Sequence, residues 1–248
     1  MKPCAVRRII RYLFLTLQTV LYLVFLSFDL SGDNTVLSNR IKFSLIIVCF
    51  CYVLFRDGGT SKSHLYILRT ALFLTVISDL FILILDNYLF GIWTFIIVQQ
   101  LYAIRLNLLG LSFTPGDKKH RKLLRAWVIR NIFLTIITIL LCSMLKAFGV
   151  IIDWLLISSL FYFVSIVMNV FYSIKIAILK PYKISNIVFA SGMVLFLLCD
   201  INVGIFNLTD FIFLPQHIYE KMYLFSSFLM WAFYAPSQIL IALSADYE

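Results

Sequence analysis

The stretch LYILRTALFLTVISDLFILILD, residues 65–86, decides the fold, and NIVFASGMVLFLLCDINVGIFNL, residues 186–208, repeats its design. Each is an apolar run long enough to cross a hydrocarbon core about 30 Å thick, which takes roughly 20 residues of helix. Each also carries one aspartate near its middle: Leu-Thr-Val-Ile-Ser-Asp ends on Asp79 and Leu-Phe-Leu-Leu-Cys-Asp ends on Asp200. Both acids lie about fourteen residues from the start of their run, so they are expected at similar membrane depth. A carboxyl at the centre of a membrane helix costs roughly 2.5–3.5 kcal/mol on insertion scales, so each is expected to face the protein interior, where such residues mark function.

The whole chain has the same character. Of 248 residues, 62% are hydrophobic and only 13% charged, which excludes a soluble domain. Eight runs qualify as spans: residues 12–30, 41–55, 65–86, 88–113, 126–148, 154–179, 186–208 and 220–244. The expected fold is therefore an all-α polytopic membrane bundle of eight transmembrane helices, a single integral domain over residues 1–248. Polar stretches at 31–40, 56–64, 114–125, 180–185 and around Pro215 supply the connections, and none is long enough for a second domain.

A net charge of +9 raises nucleic acid as a partner, but the placement of the basic residues reads as topology. With the N-terminus in the cytoplasm, thirteen fall on that side: Lys2, Arg7, Arg8, Arg11, Arg56, Lys62, Lys118, Lys119, Arg121, Lys122, Arg125, Lys180 and Lys183. Only Arg40, Lys42, Lys146 and Lys221 fall on the other. The positive-inside rule thus puts both termini in the cytoplasm, and nucleic acid is not an expected partner. The cluster from Lys118 to Lys122 also suits anionic membrane lipids. The basic, then apolar N-terminus has the layout of a signal peptide, but no small-residue cleavage site follows Leu30, so it is expected to remain as the first span.

The five cysteines, Cys4, Cys49, Cys51, Cys142 and Cys199, show no metal spacing, and His64, His120 and His217 all fall in connections. Neither a metal nor another cofactor is expected. Positions three, four and seven apart share a helix face, which sorts the remaining polar residues into stripes. The third span carries Thr75, Asp79 and Asp86; the fourth Gly91, Phe95, Gln99 and Tyr102; the sixth Tyr162, Ser165, Asn169 and Tyr172. The seventh carries Gly192, Phe196, Asp200, Gly204 and Asn207, and the eighth Ser227, Trp231, Tyr234 and Gln238. Lipid cannot hydrogen-bond these groups, so the stripes are expected to turn inward and build a polar pocket. Pro236 is expected to free the carbonyl of Ala232 in the eighth span.

The order and spacing of these residues resemble the lysoplasmalogenase (YhhN-like) family of eight-span membrane proteins. One signature of that family is similar to Asp79 followed by Gly91, Phe95, Gln99 and Tyr102, with glutamine here where the family has histidine. A second is similar to Gly192, Phe196 and Asp200, followed by Tyr234 and Gln238 ahead of Ile-Leu-Ile-Ala-Leu-Ser. The resemblance implies hydrolysis of the vinyl ether bond of a lysoplasmalogen to a fatty aldehyde and a glycerophospho-head group. Protonating the vinyl ether carbon needs an acid and adding water to the resulting oxocarbenium ion needs a base, roles that Asp79 and Asp200 can divide. Gln99, Tyr102, Asn169, Tyr234 and Gln238 are the expected substrate-binding residues, a lysophospholipid or ether lipid the expected ligand, and the bacterial cytoplasmic membrane the expected location.

The same residues carry plainer readings. The two acids can be structural, satisfied by Arg69, Arg105, Asn169 or tyrosine hydroxyls, and the amides and tyrosines can be hydrogen-bond links between helices. Arg69 and Arg105 lie near cytoplasmic span ends, where snorkelling explains them, although their guanidinium forks also suit phosphate. A non-enzymatic lipid-binding protein or small transporter using the same pocket is the alternative function.

Overall fold

The computed structural model describes residues 3–31, 35–56, 62–110, 116–207 and 215–247. Residues 32–34, 57–61, 111–115 and 208–214, where connections are expected, lie outside the described residues. Eight helices follow: α1 (Pro3–Ser31), α2 (Thr35–Leu54), α3 (Lys62–Leu83), α4 (Tyr88–Gly110), α5 (Gly116–Ala147), α6 (Trp154–Leu179), α7 (Ile184–Phe206) and α8 (Gln216–Leu243). A 3-10 turn, Ser244–Tyr247, ends the described chain. All eight helices are long and apolar enough to cross a membrane, as an integral multi-pass protein requires.

The runs of the sequence and the helices differ at their ends for physical reasons. The 41–55 run was short because Arg40 and Lys42 interrupt its hydropathy, yet the helix begins at Thr35. Lys42 sits in it comfortably, paired with Asp29 of α1 at 2.8 Å and lying 4.8 Å from the Trp231 ring. The basic stretch expected as a connection at 114–125 is helical from Gly116, since a helix that leaves the membrane can carry charge. On the opposite face α3 stops at Leu83, and Asp86 takes the left-handed conformation with φ 50°. Leu85 N then bonds Leu80 O at 3.1 Å and Asn87 N bonds Phe81 O at 2.8 Å, satisfying the last carbonyls of the helix. Asp86 therefore belongs to the turn, not to the interior stripe of Thr75 and Asp79. Asp153 opens α6 by accepting the Leu156 amide at 2.7 Å.

Packing proceeds from hairpins. α3 lies on α4, α7 on α8, and α1 on α2, while α4 and α6, α6 and α7, and α2 and α8 bring the hairpins together. Two glycines decide how closely they pack. A Cβ on Gly91 would come 2.4 Å from Ile82 Cγ1, and the space it leaves lets Ser78 Oγ donate to Gly91 O at 2.6 Å across α3 and α4. A Cβ on Gly192 would meet Ile241 Cγ1 at 2.9 Å and the backbone of α8 at Ser237 O, 3.0 Å. Gly204, three turns further along α7 than Gly192, has nothing within 4 Å of its Cβ position. Gly192→Val is accordingly expected to cost about 1–3 kcal/mol through overpacking, whereas Gly204→Ala is neutral or slightly stabilising. Thermal unfolding of the two variants in detergent checks this, and equal midpoints would refute it.

Leu13, Leu17, Val20 and Leu23 of α1 and Ile129, Ile132, Phe133 and Ile136 of α5 are exposed, as a surface facing lipid must be. Pro236 interrupts α8, and the Ala232 carbonyl it frees accepts the Tyr22 hydroxyl at 3.1 Å. Cys49 and Cys199 are buried free thiols, and Cys51 and Cys142 are half-buried free thiols. The expected orientation, with α1 beginning and α8 ending at the cytoplasm, is checked by alkaline phosphatase fusions. Activity is expected at Asn87 and none after residue 120; the reverse pattern would invert the topology.

Candidate functional site

Asp79 and Asp200 are reached from different helix pairs, and each meets a tyrosine. Asp79 of α3 is 3% exposed, and its Oδ2 accepts the Tyr234 hydroxyl of α8 at 2.7 Å. Asp200 of α7 is half-buried, and its Oδ2 accepts the Tyr162 hydroxyl of α6 at 2.8 Å. A carboxyl in an apolar interior without a donor is costly, so four helices are tied in pairs by these two bonds. The middles of the stripes face inward, but Gly204 and Asn207, expected on the α7 stripe, are exposed.

Depth follows from the helix rise. Asp79 stands ten residues above Arg69 on α3, about 15 Å at 1.5 Å per residue, or half of the hydrocarbon core. Arg69 marks the cytoplasmic end by donating to Val53 O at 3.2 Å and to Arg56 O. The same layer holds Arg56 in an ion pair with Asp246 at 2.8 Å and Arg105 donating to Ser244 Oγ at 3.1 Å. Arg69 and Arg105 thus bond groups of the bundle end and neither bonds Asp79 or Asp200.

Between the two acid–tyrosine pairs lies an aromatic wall. Phe95 of α4 packs with ring centroids 5.8 Å from Tyr162, 5.8 Å from Phe196 and 6.5 Å from Tyr234. Phe196 is 5.5 Å from Tyr234. Cys199 lies within electrostatic reach of both carboxyls. The acids therefore share an aromatic neighbourhood, and each carboxyl bonds its own tyrosine rather than the other acid.

A pair of amides lies between α4 and α6: both Gln99 Oε1 and Gln99 O accept from Asn169 Nδ2, at 2.8 and 2.9 Å. Asn169 Oδ1 in turn accepts from Arg130 of α5 at 3.1 Å. Gln99 is fully buried and Asn169 nearly so. The remaining expected binding residues are buried but stand apart from the carboxyls. Tyr102 packs edge-on against Phe189 at 5.5 Å. Gln238, one turn beyond Tyr234, makes a long 3.4 Å contact with Ser237 Oγ.

Tyr162 and Arg130 were not among the expected site residues. Tyr162 was legible as part of the α6 stripe with Ser165 and Asn169, and only its pairing with Asp200 singles it out. Arg130 stands inside the 126–148 run, an intramembrane charge legible in the sequence but on none of the stripes read there. The expected pocket is packed shut by direct contacts. Two open grooves lie elsewhere: about 290 Å³ along Thr138, Cys142 and Lys146 of α5, and about 610 Å³ between Ile174, Ile178, Ala190 and Val194 of α6 and α7.

Comparison with protein-family models, curated proteins and solved structures finds no match.

Proposed function

We propose that this chain is a membrane-embedded lipid hydrolase of the lysoplasmalogenase kind, with Asp79 and Asp200 as its acid and base. The observation that carries the reading is the pair of interior carboxyls, each held by a tyrosine hydroxyl, around Cys199 and Phe95. Tyrosine fixes the carboxyl rotamer without neutralising it as an arginine would, which leaves a proton free to move. In the reaction the acid delivers a proton to the alkenyl carbon remote from oxygen, giving an oxocarbenium ion. Water then adds to the carbon beside oxygen while the base takes its proton. The hemiacetal collapses to a fatty aldehyde and the free glycerol hydroxyl, one water being consumed. The substrate is a lysophospholipid carrying a vinyl ether, and the proposed location is a bacterial cytoplasmic membrane.

A second reading, a non-enzymatic lipid-binding protein or small transporter, is favoured by the grooves, which are apolar and lie away from the acids. A panel of vinyl ether, alkyl ether and ester lysolipids, with aldehyde followed by mass spectrometry, separates the two. Release from the vinyl ether lipid alone supports the hydrolase. Gln99→His supplies an exchangeable proton where Asn169 now donates, and it is expected to preserve or raise that release. If the wild type and Gln99→His are both inert while lipid stays bound, the binding reading replaces the hydrolase.

A further inference from the structure

The amide pair of Gln99 and Asn169 ends on a buried cation. Arg130 is 9% exposed, and its guanidinium donates to Gln100 Oε1 at 2.8 Å, Ser165 Oγ at 2.6 Å, Ser165 O at 3.3 Å and Asn169 Oδ1 at 3.1 Å. All four acceptors are neutral. The ion pairs among the described residues are Lys42–Asp29 and Arg56–Asp246, so Arg130 meets no carboxylate. Gln100 and Asn169 each stand ten residues from the cytoplasmic end of their helix, about 15 Å, so the guanidinium lies at mid-membrane and has not snorkelled to the surface. A charge kept at that depth without an anion is a functional candidate whose partner is missing.

Arg130 lies on a thinly held helix. Of the described α5 side chains, Arg130, Leu134 and Thr138 are buried, a single stripe at four-residue spacing. The rest of α5 is half-buried or exposed, with Asn131 bonded to Gln100, and Thr138 lines the 290 Å³ groove. A helix held by one stripe and a set of neutral hydrogen bonds separates from its neighbours more readily than the α3–α4 or α7–α8 hairpins. The amides around the guanidinium can turn their NH₂ groups toward an anion, and Gln99 Nε2, fully buried, donates to no acceptor.

We propose that Arg130 binds the phosphate of a lysophospholipid, seated between α4, α5 and α6 with Gln100, Ser165 and Asn169 around it. This rests on the hydrolase reading above, which supplies the lysophospholipid whose phosphate the guanidinium would take. A guanidinium fork is the side chain best matched to phosphate oxygens, and its bonds to neutral oxygens are the weaker ones it would exchange.

The test uses ligands that cannot be cleaved. A 1-O-alkyl lysophosphocholine and the 1-O-alkylglycerol of the same chain length are titrated into the purified full chain and followed by native mass spectrometry, with inorganic phosphate as competitor. The wild type is expected to prefer the phosphate-bearing lipid by about tenfold or more, the effect of one charge-assisted contact. Arg130→Gln is expected to abolish the preference while leaving alkylglycerol affinity unchanged, Arg130→Lys to keep part of it, and inorganic phosphate not to displace the lipid. A wild type without preference, or an Arg130→Gln that retains it, makes Arg130 a structural clamp and overturns the proposal. Displacement by inorganic phosphate overturns the lipid assignment. Should Arg130→Gln fail to fold, the wild-type comparison and Arg130→Lys decide. Preference without aldehyde release would sink the hydrolase and leave this site standing; aldehyde release without preference would do the reverse.

Discussion

Asp79→Asn and Asp200→Asn are each expected to abolish aldehyde release, by at least about 10²–10⁴-fold, with the fold intact. Asparagine keeps an amide oxygen in place of the carboxyl oxygen, so the Tyr234 and Tyr162 hydroxyls still find an acceptor at 2.7 and 2.8 Å. It cannot deliver a proton or act as a base of carboxylate strength. The double variant is expected to lose little more than either single one, because an acid and a base that serve one turnover act as a unit. Rates, together with thermal unfolding in detergent, decide the matter. Full activity in either variant removes that residue from the chemistry, and unfolding of both returns the acids to a structural role.

The next largest effect is expected at the tyrosines. Tyr162→Phe and Tyr234→Phe each leave a buried carboxyl oxygen without its donor while keeping the ring contacts with Phe95. Losing such a bond costs about 1–3 kcal/mol, equivalent to roughly ten- to hundredfold in rate where the bond orients the reacting carboxyl. The loss is expected in kcat more than in KM, since the ring remains and only the carboxyl is released. A KM effect with unchanged kcat would instead make the tyrosines part of the lipid-binding surface.

How the two acids would share one site depends on the elements around them. Tyr234 lies on α8 four residues before Gln238 and two before Pro236, and Tyr22 of α1 occupies the carbonyl that the proline frees. That bond anchors the Pro236 segment beside α1, and the segment carries the hydroxyl that reaches Asp79. Gly192 does similar work on α7, letting α8 approach closely eight residues before Asp200. Substitutions at either place would move the acid–tyrosine pairs without touching them.

Sequence alone determined the eight helices, because a run of apolar residues long enough to cross the membrane leaves the backbone no alternative to helix in lipid. It also determined that Asp79, Gln99, Asn169, Asp200 and Tyr234 face inward, since polar groups on a helical stripe are driven from lipid wherever they lie. Helix ends were legible only where hydropathy marks them. α2 and α5 extend past their runs because Lys42 finds Asp29 and because the basic turns of α5 stand clear of hydrocarbon. Tertiary structure alone decided which tyrosine meets which acid, that the carboxyls are not bonded to each other, and that Arg130 meets the amide pair. Those outcomes depend on the relative rotation and height of packed helices, fixed by contacts such as those at Gly91 and Gly192. A stripe on one helix gives the direction of a side chain but not the neighbour waiting for it.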